Sequence, residues 1–202
     1  MRFAGRGGIL RPLFWRKFKE ISGLSNLPQN GSYILAANHI DYLDGYFISF
    51  GLDMKKKLDI YFLSKTKNYW WAGSTLPIDP KDREKSLHQA IEYLRQGKII
   101  CNFIEGMRNP EKCLLEGKTG TVRMALTARL PIIPVGIVCP INRSFPRAMA
   151  SLLTHCHQAI IKIGSPITFE KYYGREITKN LLTELTREVM EKISPLCGKP
   201  VL

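Results

Sequence analysis

A histidine and an aspartate, five positions apart, follow a short apolar run early in the chain. Residues 33–37 form that run and predict a buried strand, and an apolar, helix-like stretch follows Asp44. Residues five apart in a regular helix point about 140° away from each other, so His39 must lie in the turn and Asp44 in the first helical turn if they are to meet. Asp44 could then accept a hydrogen bond from one ring nitrogen and leave the other as a general base.

The same residues have a second interpretation. Asp41 or Asp44 could simply cap a helix, with His39 as an ordinary turn residue. A helix N-terminus beside the imidazole would disfavour its protonated form, which suits a base. Short spacings also arise by chance, so the spacing alone leaves both interpretations open.

Composition narrows the class of protein. The 202 residues are enough for one domain with a real core, and 45% of them are apolar. The net charge of +13 indicates an anionic partner, which could be a phospholipid surface, a nucleic acid or a phosphorylated substrate. The five cysteines are scattered, which favours a reducing compartment and predicts no metal site. No apolar run approaches the roughly 20 residues of a transmembrane helix, and no secretory signal is predicted.

Strands alternate with helices along most of the chain. Strands are predicted at residues 33–37, 59–64, 76–79, 99–104, 130–138 and 159–163, and helices at residues 82–95, 121–129 and 178–193. This order predicts an α/β fold with a mostly parallel or mixed sheet flanked by helices. Sites in such sheets form at the carboxyl ends of strands, where His39 and Glu105 both fall.

The N-terminal segment, residues 1–24, is predicted to be a basic amphipathic helix that lies on a membrane surface. It has no acidic residue before Glu20, and an apolar stripe at helical spacing consists of Leu10, Leu13, Phe14, Phe18 and Ile21. Trp15 beside the stripe favours the membrane. Docking on the protein's own core and an organellar transit peptide are the alternatives. Residues 25–202 would form the remaining domain.

Three motifs, each at the end of a predicted strand, together resemble the PlsC-like glycerolipid acyltransferases, the 1-acylglycerol-3-phosphate acyltransferase family. They are Asn38-His39-x4-Asp44, the block from Phe103 to Arg108, and the block from Leu130 to Val135. The resemblance covers about residues 33–138 and makes residues 25–202 the acyltransferase domain.

The resemblance also implies a role for each matching residue. His39 would be the general base that activates an acceptor hydroxyl, and Asp44 would orient it. Glu105 and Gly106 would shape the acceptor site, and Arg108 would hold the acceptor's phosphate, since arginine suits bidentate phosphate contact. From the residues alone, Arg108 could instead be a surface side chain or a structural ion-pair partner of Glu105.

The sequence departs from the family pattern in the block that ends at Asp79. Pro80 stands where the family carries an arginine that helps to bind phosphate. Lys81 or Arg83 could replace that arginine, and Lys65, directly after the predicted strand 59–64, is another candidate. Each of the three could equally be a solvated side chain. Ile104, Met107 and Asn109 also differ from the usual proline, threonine and serine.

The resemblance therefore implies a membrane-associated O-acyltransferase that transfers a fatty acyl group from a thioester to a lysophospholipid, with lysophosphatidate as first choice. Acyl-CoA or acyl-carrier protein would be the donor, and no cofactor or metal is expected because a thioester is already activated. We expect peripheral attachment to anionic phospholipid on the cytoplasmic face of a membrane, and no nucleic acid partner. The alternatives are another lysolipid or glycolipid acceptor, or a non-catalytic binder of anionic membranes or nucleic acid.

Overall fold

A computed structural model describes residues 10–56, 58, 60–64, 75–142, 144–154 and 156–202. Seven strands form one sheet: β1 (Phe18–Ser22), β2 (Ile34–Ala37), β3 (Ile60–Ser64), β4 (Thr75–Pro77), β5 (Ile99–Phe103), β6 (Ile132–Val138) and β7 (Ala159–Ile163). The described ranges also contain six α-helices: α1 (Leu10–Trp15), α2 (Asp44–Lys56), α3 (Arg83–Arg95), α4 (Gly120–Ala128), α5 (Phe145–Thr154) and α6 (Lys179–Cys197). The predicted α/β fold is confirmed.

The sheet is mixed, with the strand order β1-β7-β6-β2-β5-β3-β4. Five neighbouring strands, from β6 to β4, are parallel. Strand β7 is antiparallel to β6, and β1 is parallel to β7. The carboxyl ends of the five parallel strands therefore share one edge of the sheet with the first residues of β1 and β7.

Side chains alternate between the two faces of the sheet, and each face is covered by helices. In β2, Leu35 and Ala37 belong to one core cluster and Ile34 and Ala36 to the other. Residues of α1, α2 and α5 complete the first cluster, and residues of α3, α4 and α6 complete the second. Strand β2 is buried on both faces, which explains its uninterrupted apolar sequence.

The N-terminal segment differs from its prediction. Helix α1 ends at Trp15, and the chain then enters the edge strand β1, so Phe18 and Ile21 belong to a strand rather than to a helical stripe. Phe14 is buried against α2 aromatic rings, as docking on the core predicts, whereas Trp15 is 47% exposed. The helix predicted over residues 1–24 is thus wrong from residue 16 onward, and residues 1–9 lie outside the described part.

Helix α5 is an element that the sequence analysis did not predict. It connects the antiparallel pair β6 and β7 and contributes Ala148 and Leu152 to the core. Across the described ranges, none of the helices combines the length and apolarity needed to cross a bilayer.

Candidate active site

His39 and Asp44 meet at the carboxyl end of β2. His39 Nδ1 lies 2.7 Å from Asp44 Oδ2, and the Asp44 side chain is fully buried. A carboxylate is only an acceptor, so the imidazole donates from Nδ1 and keeps a lone pair on Nε2. The His39 side chain remains 20% exposed, so the ring is accessible from outside. The contact that the spacing predicted is therefore present.

The turn between the two residues is held by Asp44 itself. Asp44 Oδ2 also accepts hydrogen bonds from the backbone N–H groups of Ile40, at 2.6 Å, and of Asp41, at 2.8 Å. Asp44 is the first residue of α2, where a negative side chain is favoured by the helix dipole. Asp44 thus combines the two interpretations that the sequence left open, because it holds the turn and also orients the histidine.

Two further contacts fix the orientation of His39. Its ring stacks on the Phe103 ring, with centroids 4.0 Å apart and planes 14° apart. Its backbone N–H donates to Glu105 Oε1 at 3.1 Å. Phe103 ends β5 and Glu105 follows it, so the strand next to β2 in the sheet supplies both contacts.

Asn38 extends the sheet beyond the end of β2. Its side chain is fully buried, donates to the Ile137 carbonyl at 3.0 Å and accepts from the Ile137 N–H at 2.7 Å. The amide therefore imitates a backbone group of the next residue in the ladder. This pairing ties the residue before the histidine to β6.

Glu105 is a buried side chain that fixes neighbouring segments by hydrogen bonds, and it is not an exposed substrate contact. Its side chain is 1% exposed, and Oε2 accepts from Asn109 Nδ2 at 2.5 Å and from the Leu115 N–H at 2.9 Å. Asn109 completes the link, because its N–H donates to the His39 carbonyl at 2.6 Å. Glu105 and Asn109 together hold the turn of His39 against the loop that follows β5.

That loop carries Gly106 and Arg108 on the outside. Gly106 has φ +74, where a side chain would be strained, and an added Cβ would meet Lys118 Cγ at 3.1 Å. The guanidinium carbon of exposed Arg108 lies 3.5 Å from the centroid of the Tyr42 ring. In the described part of the chain no carboxylate pairs with Arg108, and the Glu105 carboxylate is bound to other donors. The alternative of a Glu105–Arg108 ion pair is therefore not what the structure contains.

A second buried carboxylate, Asp41, connects the histidine turn to the segment after β6. Asp41 Oδ2 accepts from the backbone N–H of Asn142, at 2.6 Å, and from Asn142 Nδ2, at 3.0 Å. Its Oδ1 accepts from the Leu43 N–H at 3.1 Å. Burial raises the pKa of Asp41, and these hydrogen bonds oppose that shift only in part. Three parallel strands, β2, β5 and β6, thus meet through side chains at this edge.

Cys139 lies beside both carboxylates at the end of β6. Its Sγ donates to Asp44 Oδ1 at 3.5 Å. Burial, together with the charges of Asp44 and Asp41, holds the pKa of the Cys139 thiol well above its ordinary range. This cysteine is accordingly a thiol donor that supports Asp44, not a nucleophile.

Of the two predicted lysines, Lys81 is the one that the structure describes, and it lies several strands away from the histidine. Lys81 follows the carboxyl end of β4, the outermost strand on its side of the sheet. Strand β4 is three strands away from β2, which corresponds to about 14 Å between the two strands. Lys81 and Arg83 are exposed, and the Lys81 N–H donates to Asp79 Oδ1 at 2.9 Å. Lys65 lies outside the described residues.

Several site residues were not predicted, because each has at least one partner that is distant in sequence. The sequence predicts Asp41 only as a possible helix cap and Phe103 only as part of a motif, and it gives Asn142 no role. The one feature of the sequence that could have indicated a site residue was the acidic side chain of Asp41, two residues after His39. Asn109 was noted only as a departure from the family serine, yet it bridges Glu105 and His39.

Comparisons with known proteins show what the chain is similar to. A family model described as Acyltransferase matches residues 19–138. The chain is 28% identical over 206 residues to "1-acyl-sn-glycerol-3-phosphate acyltransferase" of Escherichia coli (strain K12), covering 92% of this chain and 80% of that protein. It is 27% identical over 161 residues to "1-acyl-sn-glycerol-3-phosphate acyltransferase BAT2, chloroplastic" of Brassica napus, covering 73% of this chain but only 44% of that protein.

A solved structure has the same fold. The 1-acyl-sn-glycerophosphate acyltransferase PlsC from Thermotoga maritima superposes with a TM-score of 0.63 at 18% identity, over 96% of this chain and 78% of that one. The matched residues 19–138 contain His39, Asp44, Glu105 and Arg108.

Proposed function

The chain belongs to the acyltransferase family, and on that premise we propose that it transfers a fatty acyl group from a thioester donor to the hydroxyl of a lysophospholipid. The proposed acceptor is 1-acylglycerol-3-phosphate, which would give phosphatidate. The proposed donor is acyl-CoA or acyl-carrier protein. The names of the Escherichia coli and Brassica napus relatives support this choice of acceptor.

The hydrogen bond between His39 Nδ1 and Asp44 Oδ2 is the observation that carries the proposal. With Nδ1 occupied, Nε2 is the nitrogen that takes the proton of the acceptor hydroxyl as its oxygen attacks the thioester carbonyl. Collapse of the tetrahedral intermediate breaks the C–S bond, and the protonated imidazole returns the proton to the leaving thiolate. Asp44 stabilises the imidazolium that exists between the two transfers. The thioester is already activated, so the proposal invokes no metal or cofactor.

Arg108 is the proposed partner of the acceptor's phosphate. It follows β5, the strand beside β2, and its guanidinium lies exposed over the Tyr42 ring. Tyr42 is part of the turn between His39 and Asp44, so a phosphate bound by Arg108 would lie near the base. Glu105 and Gly106 would shape this site indirectly, by fixing the loop that carries Arg108.

Pro80 favours a second candidate acceptor. The family's phosphate-binding arginine is replaced there, and the exposed Lys81 lies three strands from β2. A lysolipid with a different headgroup, or a glycolipid hydroxyl, is therefore the alternative acceptor.

We further propose that the protein works as a peripheral protein on the cytoplasmic face of a membrane rich in anionic phospholipid. The net charge of +13 supports attraction to such a surface, and the proposed acceptor is itself a membrane lipid.

An acceptor panel tests the proposal. Purified protein is incubated with radiolabelled acyl-CoA, or with acyl-carrier protein loaded with the same chain, and with each of several lysophospholipids and glycolipids. Phosphatidate formed from lysophosphatidate is the expected result. If product forms only from another acceptor, the assignment of lysophosphatidate as the acceptor is wrong. If no product forms with either donor, the proposed acyl transfer is contradicted.

A further inference from the structure

Helix α5 has an outer face that nothing in the described chain covers. Its residues Pro146, Arg147, Ala150, Leu153 and Thr154 are exposed and fall on one side of the helix, and Leu153 is 69% exposed. The opposite side is buried in the core through Ala148 and Leu152. A solvated helix face normally carries charged and polar side chains, but here the outer face is mainly apolar.

The end of α1 continues this face. Lys17 Nζ donates to the Ser151 carbonyl, and Arg16 Nη2 donates to Cys156 Sγ at 3.2 Å, so the end of α1 is tied to the end of α5. Trp15 and Arg16 are exposed there. We call Trp15, Arg16, Arg147, Ala150 and Leu153 the α1–α5 surface.

The two segments that form this surface carry charges of one sign. Residues 139–158, which include α5, contain no aspartate or glutamate, and neither do residues 1–19. Arg16 and Arg147 therefore have no acidic neighbour along either segment. A second copy of the same surface would bring like charges together, whereas an anionic surface would complement them.

The fold brings the α1–α5 surface to the edge of the sheet that holds His39. Because β7 is antiparallel to β6, α5 leaves and rejoins the sheet at the edge where β6 ends. Because β1 is parallel to β7, α1 enters at that same edge. At the start of α5, Phe145 packs edge-on against Tyr42, with centroids 6.1 Å apart, and Arg108 lies on the Tyr42 ring.

We propose that the α1–α5 surface is a docking face for an anionic phospholipid bilayer. Trp15 and Leu153 would enter the interface, and Arg16 and Arg147 would lie among the lipid headgroups. The contact from α5 through Tyr42 to Arg108 would then direct a lipid headgroup from the bilayer toward His39. The link to His39 rests on the proposed function, whereas the docking itself does not.

Vesicle sedimentation tests the docking with the full chain. The probes are vesicles of phosphatidylglycerol mixed with phosphatidylcholine, and vesicles of phosphatidylcholine alone. Leu153→Glu and Arg147→Glu are each expected to weaken binding to the anionic vesicles by about tenfold or more, because one loses apolar contact and the other reverses a charge. Both side chains are exposed, so thermal unfolding should match the wild type.

Matched controls lie at the start of α6. Lys199, just beyond the far end of α6, contacts the site by donating from Nζ to the Asn109 carbonyl. Ile177→Glu and Lys179→Glu make the same changes at exposed positions and should bind as the wild type does. Equal binding by all four variants would overturn the proposal, as would equal wild-type binding to both kinds of vesicle. A dimer that Leu153→Glu converts to a monomer would assign the surface to a second copy, against the proposal.

Activity measurements separate this proposal from the proposed function. With a short-chain, monomeric acceptor, Leu153→Glu and Arg147→Glu should keep the wild-type rate, and with an acceptor embedded in anionic vesicles the rate should fall with binding. Loss of vesicle binding in a chain that acylates no acceptor would uphold the docking face and reject the enzyme. If the wild type acylates an acceptor and both variants bind vesicles as the wild type does, the enzyme is upheld and the docking face is rejected.

Discussion

His39 Nδ1 lies 2.7 Å from Asp44 Oδ2, although the two residues are five apart and would point away from each other in a continuous helix. They meet because α2 begins only at Asp44, and the preceding residues form a turn whose N–H groups are bound by the same carboxylate oxygen. The orientation of the base is therefore set by the same group that forms the turn.

Asp44→Asn should lower kcat by about 10³-fold, because an amide cannot hold the imidazole in the same tautomer or stabilise the imidazolium. The KM for the acceptor should change little, since Asp44 is fully buried and does not reach the substrate. Steady-state kinetics of acyl transfer would measure both constants. A variant with wild-type kcat would contradict the role assigned to Asp44.

Glu105→Gln should destabilise the fold by about 1–3 kcal/mol, because one of the three donors that Glu105 binds would then face an amide N–H₂ group. Denaturant unfolding gives the free energy. Glu111→Gln, at an exposed position of the same loop, is the control and should leave stability unchanged. Equal stability of both variants and the wild type would show that the hydrogen bonds of Glu105 do not stabilise the fold.

Arg108→Ala should raise the KM for a phosphate-bearing acceptor by about tenfold or more, because a charge-assisted contact to phosphate is lost. The KM for the acyl donor should not change, and Arg108→Lys should recover only part of the effect. Initial rates with each substrate varied in turn provide the test. If both KM values rise together, Arg108 does not select the acceptor.

Asp41→Asn should alter the pH dependence of stability. Burial raises the pKa of Asp41 in the fold, so the unfolded chain ionises first as the pH rises, and the wild type loses stability between the ordinary carboxyl value, about 4, and the raised one. Asparagine does not ionise, so the melting temperature of Asp41→Asn relative to the wild type should increase over that interval and stay constant above it.

Thermal unfolding at a series of pH values checks this prediction. Glu184→Gln, on the exposed side of α6, controls for the loss of one carboxylate. A constant or falling difference between Asp41→Asn and the wild type would mean that the Asn142 and Leu43 hydrogen bonds outweigh burial.

The central strands were predictable from sequence because they are buried on both faces. Residues 33–37 are a continuous apolar run, residues 99–104 are apolar except for Asn102, and β2 and β5 occupy almost the same positions. His39 and Glu105 were found because polar residues within two positions of the end of such a run lie at the edge of the sheet.

The N-terminal strand could not be predicted in the same way. Phe14, Phe18 and Ile21 fit a helical stripe, and the change from helix to strand at Phe18 is decided by pairing with β7, about 140 residues later. Helix α5 has apolar residues on both its buried and its exposed sides, so it lacks the polar face by which a surface helix is recognised.

The supports of the site were hidden for a related reason. Asn142 is 101 residues from Asp41, and Asn109 finds its partners in Glu105 and in the backbone of His39. Nothing in the local sequence distinguishes these asparagines from asparagines in ordinary loops. Only the parallel order of β2, β5 and β6 brings them to the histidine.

The role of His39 as general base is the central claim, and the transfer of radiolabelled acyl groups by wild type and His39→Ala tests it most directly. The side chain is partly exposed, so the variant should remain folded, as thermal unfolding can verify. With an acceptor that the wild type uses, we expect a fall in kcat of at least about 10²-fold. A folded His39→Ala protein with wild-type turnover would contradict the mechanism.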